Sequence, residues 1–110
     1  MDHVPLTDET EVVDGVHLAV LAAGEQMNVQ HFRIEPGATV PTHDHPHEQA
    51  GFVYEGELVF VLDGGAHRIS TAESYVIPGG ESHAAENQGE ATVRGVDIFT
   101  PPRVNPDWAE

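Results

Sequence analysis

Cysteine is absent from this 110-residue chain, and so is lysine. Without cysteine there are no disulfides and no thiolate nucleophile or metal ligand. Without lysine the only permanent side-chain cations are Arg33, Arg68, Arg94 and Arg103, set against nineteen Asp and Glu, for a formal charge of −15. That charge opposes binding to nucleic acid or to an anionic membrane. It suits a halophilic source, where salt screens self-repulsion, and it implies that folding weakens in low salt. No apolar run is long enough to span a membrane. The first residues, MDHVPLTDETEVVDG, lack the basic and apolar regions of a secretory signal, so a cytoplasmic location is expected. Sustained helical periodicity is missing too. No strand is followed by a helix-length amphipathic segment, which excludes a doubly wound α/β fold.

What remains is a series of short strands between Gly and Pro turns. Residues 1–14 read as a mobile N-terminal arm with room for a short edge strand, and residues 15–110 as one domain. Strands are expected over Val16–Ala23, residues 27–35, Leu58–Leu62, residues 66–70, Ser74–Ile77 and residues 91–100. Asp63-Gly64 opens a hairpin turn, and Pro36-Gly37 marks another. Asn28, Gln30, Phe32 and Ile34 share one face of the second strand; Val29, His31, Arg33 and Glu35 share the other. Strands at this spacing imply an antiparallel sandwich or barrel, an all-β fold.

Residues 37–56, GATVPTHDHPHEQAGFVYEG, concentrate the chemistry. His43 and His45 are two apart, so on an extended strand both imidazoles face the same way. Pro41 and Pro46 argue against a helix, and Gln49 follows before the apolar run at 50–54. Imidazoles and oxygens grouped this way suit a divalent metal. His47 is out of phase with His43 and His45 and reads as exposed or as a neighbour of the ligands. Glu48 reads as solvent-facing. Phe52 and Tyr54 have the parity of a core or pocket wall. His3, His17, His31 and His67 have no partners at ligand spacing, although His31 or Arg33 could line the barrel if their face turns inward. Trp108 reads as a packing residue, on the surface or against a partner subunit.

The spacing Gly37, His43, His45, Gln49, Gly56, followed by Pro78, Gly80, His83, Asn87, resembles the two signature motifs of the cupin superfamily. The resemblance implies a double-stranded β-helix, or jelly-roll, barrel. It also implies that His43, His45, Gln49 and His83 hold one divalent transition metal: Mn, Fe, Co, Ni or Zn. Four protein ligands in an octahedral sphere leave two positions open. Gln49 stands where most cupins have Glu; it keeps an oxygen donor and removes a charge, which leaves the ion more electrophilic. Ala72 stands where the second motif usually begins with Gly, a departure that touches a turn. The family also implies a homodimer.

The last strand runs into Asp97-Ile98-Phe99-Thr100-Pro101-Pro102-Arg103, with Asp97 and Phe99 on one face. An Arg after two prolines is well placed to pair with a carboxylate. With the HPHEQ segment and the Gln ligand, this ending is similar to KdgF-type cupins of pectin and alginate breakdown. Those convert the unsaturated uronate left by polysaccharide lyases to its linear keto form. The resemblance implies Asp97 and Arg103 as catalytic residues and Phe99, Arg103 and Tyr54 as substrate contacts, with a small carboxylate or sugar acid as partner. The expected function is a metal-dependent enzyme of this kind. The alternatives are a cupin dioxygenase, or a non-catalytic module that binds a metal or small ligand.

Overall fold

The computed structural model describes residues 1–103; the expectation for Trp108 lies outside the described residues. Ten strands follow in order: β1 Thr10–Val13, β2 Val16–Ala23, β3 Asn28–Ile34, β4 Thr39–His43, β5 Glu48–Glu55, β6 Leu58–Leu62, β7 Gly65–Ile69, β8 Ser74–Ile77, β9 His83–Glu86 and β10 Val93–Thr100. A six-stranded sheet, β1-β2-β3-β10-β5-β8, and a four-stranded sheet, β4-β9-β6-β7, are antiparallel throughout. Together they form the jelly-roll barrel expected from the sequence. No helix among the described residues is long and apolar enough to cross a membrane. Thr10–Val13 pairs with β2, so the edge strand is part of the sheet and the arm proper is residues 1–9.

Period-2 alternation sorts the residues of the large sheet, and the register sorts the interior further. Two inward rows are apolar: Val53–Gly95–Phe32–Leu18, and Val93–Ile34–Val16. Opposite them Val40, Leu58, Phe60 and Ala85 complete the core. Burying each large apolar side chain stabilises the barrel by roughly 1.5–3 kcal/mol. The next two inward rows are mixed: Tyr75–Gly51–Asp97–Gln30, and Ile77–Gln49–Phe99–Asn28. One half of the interior is therefore apolar, and the other half is lined with polar groups.

The inward face of β3 carries Asn28, Gln30, Phe32 and Ile34, so Arg33 points outward and His31 lies on the outer side beneath Tyr54. The parity expectation for β5 is corrected. Gln49 and Val53 are buried, while Phe52 and Tyr54 lie on the outer face at 41% and 45% exposure. The run at 50–54 is apolar on both faces because the outer face also carries Ile98 and Val76, exposed as well.

Ala72 adopts a φ of +70° in the turn before β8. Its N–H donates to the Val53 carbonyl at 2.7 Å, which holds the turn in place. The methyl group that replaces the usual glycine hydrogen thus sits in the left-handed region, where an L-residue is disfavoured by about 1–2 kcal/mol.

Candidate metal centre

His43 ends β4 and His83 begins β9, and the two are paired across the small sheet. His45 lies two residues past the end of β4, in the loop of residues 44–47. That loop is pinned to the turn before His83: the Gly80 N–H donates to the His45 carbonyl at 2.7 Å. Gly79 permits the contact, since a Cβ there would stand 2.4 Å from the Pro46 carbonyl oxygen. The two motifs are thus joined through backbone, and their imidazoles converge. Ring centroids lie 4.4 Å apart for His43 and His83, 5.4 Å for His43 and His45, and 5.1 Å for His45 and His83. One nitrogen from each of the three falls within 4.8 Å of the others.

The backbone sets their tautomers. Nδ1 of His43, His45 and His83 meets the carbonyls of Pro41, His47 and Glu81 at 2.8, 3.0 and 2.8 Å. A carbonyl only accepts, so each Nδ1 carries the proton and each Nε2 carries the lone pair, the arrangement of a metal-ligating histidine. Burial lowers the pKa of all three and brings His43 to about 4; the nearby charge of Arg103 acts in the same direction. The nest is therefore neutral and electron-rich at physiological pH.

Gln49, 5% exposed on β5, sets its Oε1 3.1 Å from His45 Nε2. Two acceptors facing each other are poorly placed without a cation between them. Two ligands at right angles, each about 2.1 Å from one ion, would lie about 3 Å apart. The donor set of three imidazole nitrogens and one amide oxygen fits a divalent transition ion.

Asp97 faces the same space from β10. It is buried, accepts from the Tyr75 hydroxyl at 2.5 Å, and is hydrogen-bonded by the Gln49 amide. Burial raises its pKa to about 6, while those two bonds and the charge of Arg103 lower it. Arg103 is buried as well, although it follows the last strand. Its backbone N–H donates to Asn28 Oδ1 at 2.6 Å, and its guanidinium lies 4.9 Å from the Phe99 ring centroid. These groups face a void of about 40 Å³ that also reaches the apolar side chains of Val16, Phe32, Ile34 and Phe60, room for two or three waters.

The structure brings His43, His45, Gln49, His83, Asp97, Phe99 and Arg103 together. Tyr54 is the exception and is corrected as a substrate contact. It stands on the outer face, its hydroxyl 2.6 Å from His31 Nε2, on the far side of the sheet from this void. His47 lies beside His45 and Phe99 and contributes its carbonyl to orient His45. His17, without a partner at ligand spacing in the sequence, meets Glu35 at 2.6 Å across the outer face. Tyr75 was not singled out from the sequence. Its signal was the alternation of β8, which puts Tyr75 and Ile77 on one face.

The shifted groups set a pH dependence for the metal-free protein. His31, His43, His45 and His83 all have pKa values lowered by burial from 6.5. Their unfolded forms take up protons first, so their contribution is complete above pH 6.5 and is lost as pH falls below it, down to about 4 for His43. Asp97 acts oppositely, since its raised value favours the fold at low pH and weakens it as pH rises through 6. Four histidines outweigh one carboxyl. Thermal melts in chelator are expected to give a lower Tm at about pH 5 than at about pH 7.5, and an equal or higher Tm at the lower pH would contradict this balance.

Residues 30–99 match the family model of the cupin domain. The chain is 30% identical over 78 residues to the tetracenomycin polyketide synthase protein TcmJ of Streptomyces glaucescens, covering 70% of this chain and 52% of that protein. It therefore spans about half the length of the curated relative it matches. Among solved structures it is similar to KdgF from Halomonas sp., with a TM-score of 0.85 at 24% identity over 94% of this chain and 96% of that one. It is similar also to the polyketide cyclase RemF from Streptomyces resistomycificus, with a TM-score of 0.79 at 24% identity over 97% and 89%. These likenesses show a shared fold. With the family match spanning more than half its length and both signature motifs converging in the barrel, the chain belongs to the cupin family.

Proposed function

We propose that His43, His45, Gln49 and His83 hold one divalent transition metal, and that the chain isomerises a small unsaturated sugar acid, as KdgF-type cupins do. The observation that supports this most directly is the meeting of four neutral ligand groups with one buried Asp and one buried Arg at the polar end of the barrel. A bound divalent ion supplies Lewis acidity toward a substrate oxygen. Arg103, its guanidinium backed by Phe99, pairs with the uronate carboxylate. Asp97 carries the proton. The hemiacetal hydroxyl loses its proton, the ring C–O bond opens, and an aldehyde and an enol result. The distal carbon of the double bond then gains a proton to give the keto form, with no net change in atoms or electrons. The void is smaller than a sugar ring, so the ring would sit in the mouth with its reacting edge inward.

The likeness to TcmJ and RemF supports a second reading, chemistry on a polyketide chain. Arg103 beside the site favours a carboxylate substrate.

The test is an assay of metal-loaded protein on an unsaturated uronate, following loss of the double bond by ultraviolet absorbance. Turnover is expected, reduced about 10²–10⁴-fold in Asp97→Asn. With metal content verified, a rate no faster than buffer would reject the uronate reading. Binding without conversion would point to a non-catalytic module.

A further inference from the structure

We propose that Asp97, supported by Tyr75, is a positioning residue for Gln49, and that its carboxylate decides which end of the Gln49 amide faces the histidines. The inference rests on the reading of the cluster as a metal site. An amide side chain has one end that can ligate a cation and one that cannot, and the two have nearly the same shape. At position 49 something must select the oxygen.

Asp97 is the selector. Its carboxylate only accepts; Asp97 and Gln49 are diagonal neighbours on the inward face of β10 and β5, and the Gln49 amide is hydrogen-bonded to that carboxylate. That bond claims Gln49 Nε2 and turns Oε1 toward His45 Nε2 at 3.1 Å. Tyr75 holds the carboxylate in place through its hydroxyl at 2.5 Å. Tyr75, Gly51 and Asp97 are direct cross-strand neighbours on β8, β5 and β10, so the phenol has to cross over β5 to reach the carboxylate. Gly51 makes the crossing possible: a Cβ there would stand 2.3 Å from the Tyr75 hydroxyl and 2.4 Å from Asp97 Oδ1. The same arrangement gives a reason for Gln at position 49. A Glu there would set a second acceptor-only group against Asp97.

Co²⁺ titration of metal-free protein, with affinity measured by competition with a chelator, tests this without reference to turnover. In Asp97→Asn the Tyr75 hydroxyl still donates to the side-chain oxygen, so the introduced amide presents its NH₂ to Gln49. The Gln49 amide then turns over, and its own NH₂ faces the histidines. Affinity is expected to fall about 10–100-fold, as for loss of a group that orients a ligand.

Adding Tyr75→Phe to Asp97→Asn releases the introduced amide to present its oxygen instead, and about tenfold of the affinity is expected to return. Tyr75→Phe alone leaves an acceptor-only carboxylate and is expected to bind within about threefold of the parent, a change small beside the loss of about 10–100-fold. The charge is the same in Asp97→Asn with or without Tyr75→Phe, so recovery cannot come from the charge that the substitution removes. An Asp97→Asn variant that binds Co²⁺ like the parent overturns the inference, and so does a double variant no better than Asp97→Asn. Circular dichroism of each variant establishes that it is folded. If Asp97→Asn does not fold, Gly51→Ala is titrated instead and is expected to lose affinity because the added Cβ, 2.4 Å from Asp97 Oδ1, pushes the carboxylate itself away from Gln49; parent-like affinity there overturns the inference. A parent protein that binds no Co²⁺ defeats the metal reading itself.

Discussion

His83→Ala is expected to emerge from purification folded and without its transition metal. His83 is 2% exposed, faces His43 across β4 and β9, and has its proton committed to the Glu81 carbonyl. Alanine removes one donor of four and leaves space that water fills. Loss of a residue that merely orients a ligand costs about 10–100-fold in affinity, and loss of a ligand costs more. Elemental mass spectrometry is expected to find about one metal per chain in the parent and a small fraction of that in the variant. The fold survives because the apolar rows from Val53 to Leu18 and from Val93 to Val16 do not include His83. Equal metal in both proteins would remove His83 from the ligand set. Absence from both, after incubation with each candidate ion, would reject the centre.

Asn87→Asp is expected to cause the largest loss of stability. Asn87 belongs to the second motif, yet its side chain bonds to backbone groups and not to the histidine cluster. Its Nδ2 donates to the Ile34 and Ala91 carbonyls, both at 2.9 Å, and its Oδ1 accepts from the Gly89 N–H at 3.1 Å. Its backbone meets Gly37 and Ala38 as well, so one buried residue ties β3, β9 and the turns on either side of them. Aspartate keeps the shape but sets a carboxylate oxygen against two carbonyl oxygens. Each buried polar group left unsatisfied costs about 1–3 kcal/mol, which gives roughly 3–5 kcal/mol for the pair and the added charge. A domain of this size is stable by about 5–15 kcal/mol in all. Urea unfolding is expected to show a much lower midpoint, with Asn87→Ala intermediate because water can enter. A midpoint equal to the parent would mean that these hydrogen bonds contribute nothing net.

The sequence made some of this legible and hid the rest for physical reasons. Val16–Ala23, Leu58–Leu62 and Ser74–Ile77 were readable to the residue, because apolar runs end there at Gly, Pro or Asp turns. The convergence of the histidines and Gln49 was readable because motif spacing reflects two crossings between the sheets, β4 to β5 and β8 to β9, whose strands pair with one another. β9 was not: His83-Ala84-Ala85-Glu86 has weak strand propensity and becomes a strand by pairing with β4 and β6. Tyr54 misled because position 54 belongs to a run with apolar residues on both faces, where alternation carries no information about which side is inside. The Tyr75–Asp97 contact depends on a glycine lying directly between them in the sheet, which is a fact of register rather than of composition.

The division of the barrel interior has a consequence for how such a chain changes over generations. Leu18, Phe32, Ile34, Val53 and Val93 from the large sheet pack with Val40, Leu58, Phe60 and Ala85 from the small one, and positions 30, 49, 97 and 103 are not among them. Exchanges at positions 30, 49, 97 and 103 therefore leave the main apolar contacts of the barrel in place. Exchanges at the apolar end, by contrast, remove packing directly. Proteins bearing names as different as KdgF and polyketide cyclase share this barrel with the chain at 24% identity, as expected where the scaffold is conserved by packing and new chemistry is tried at one end.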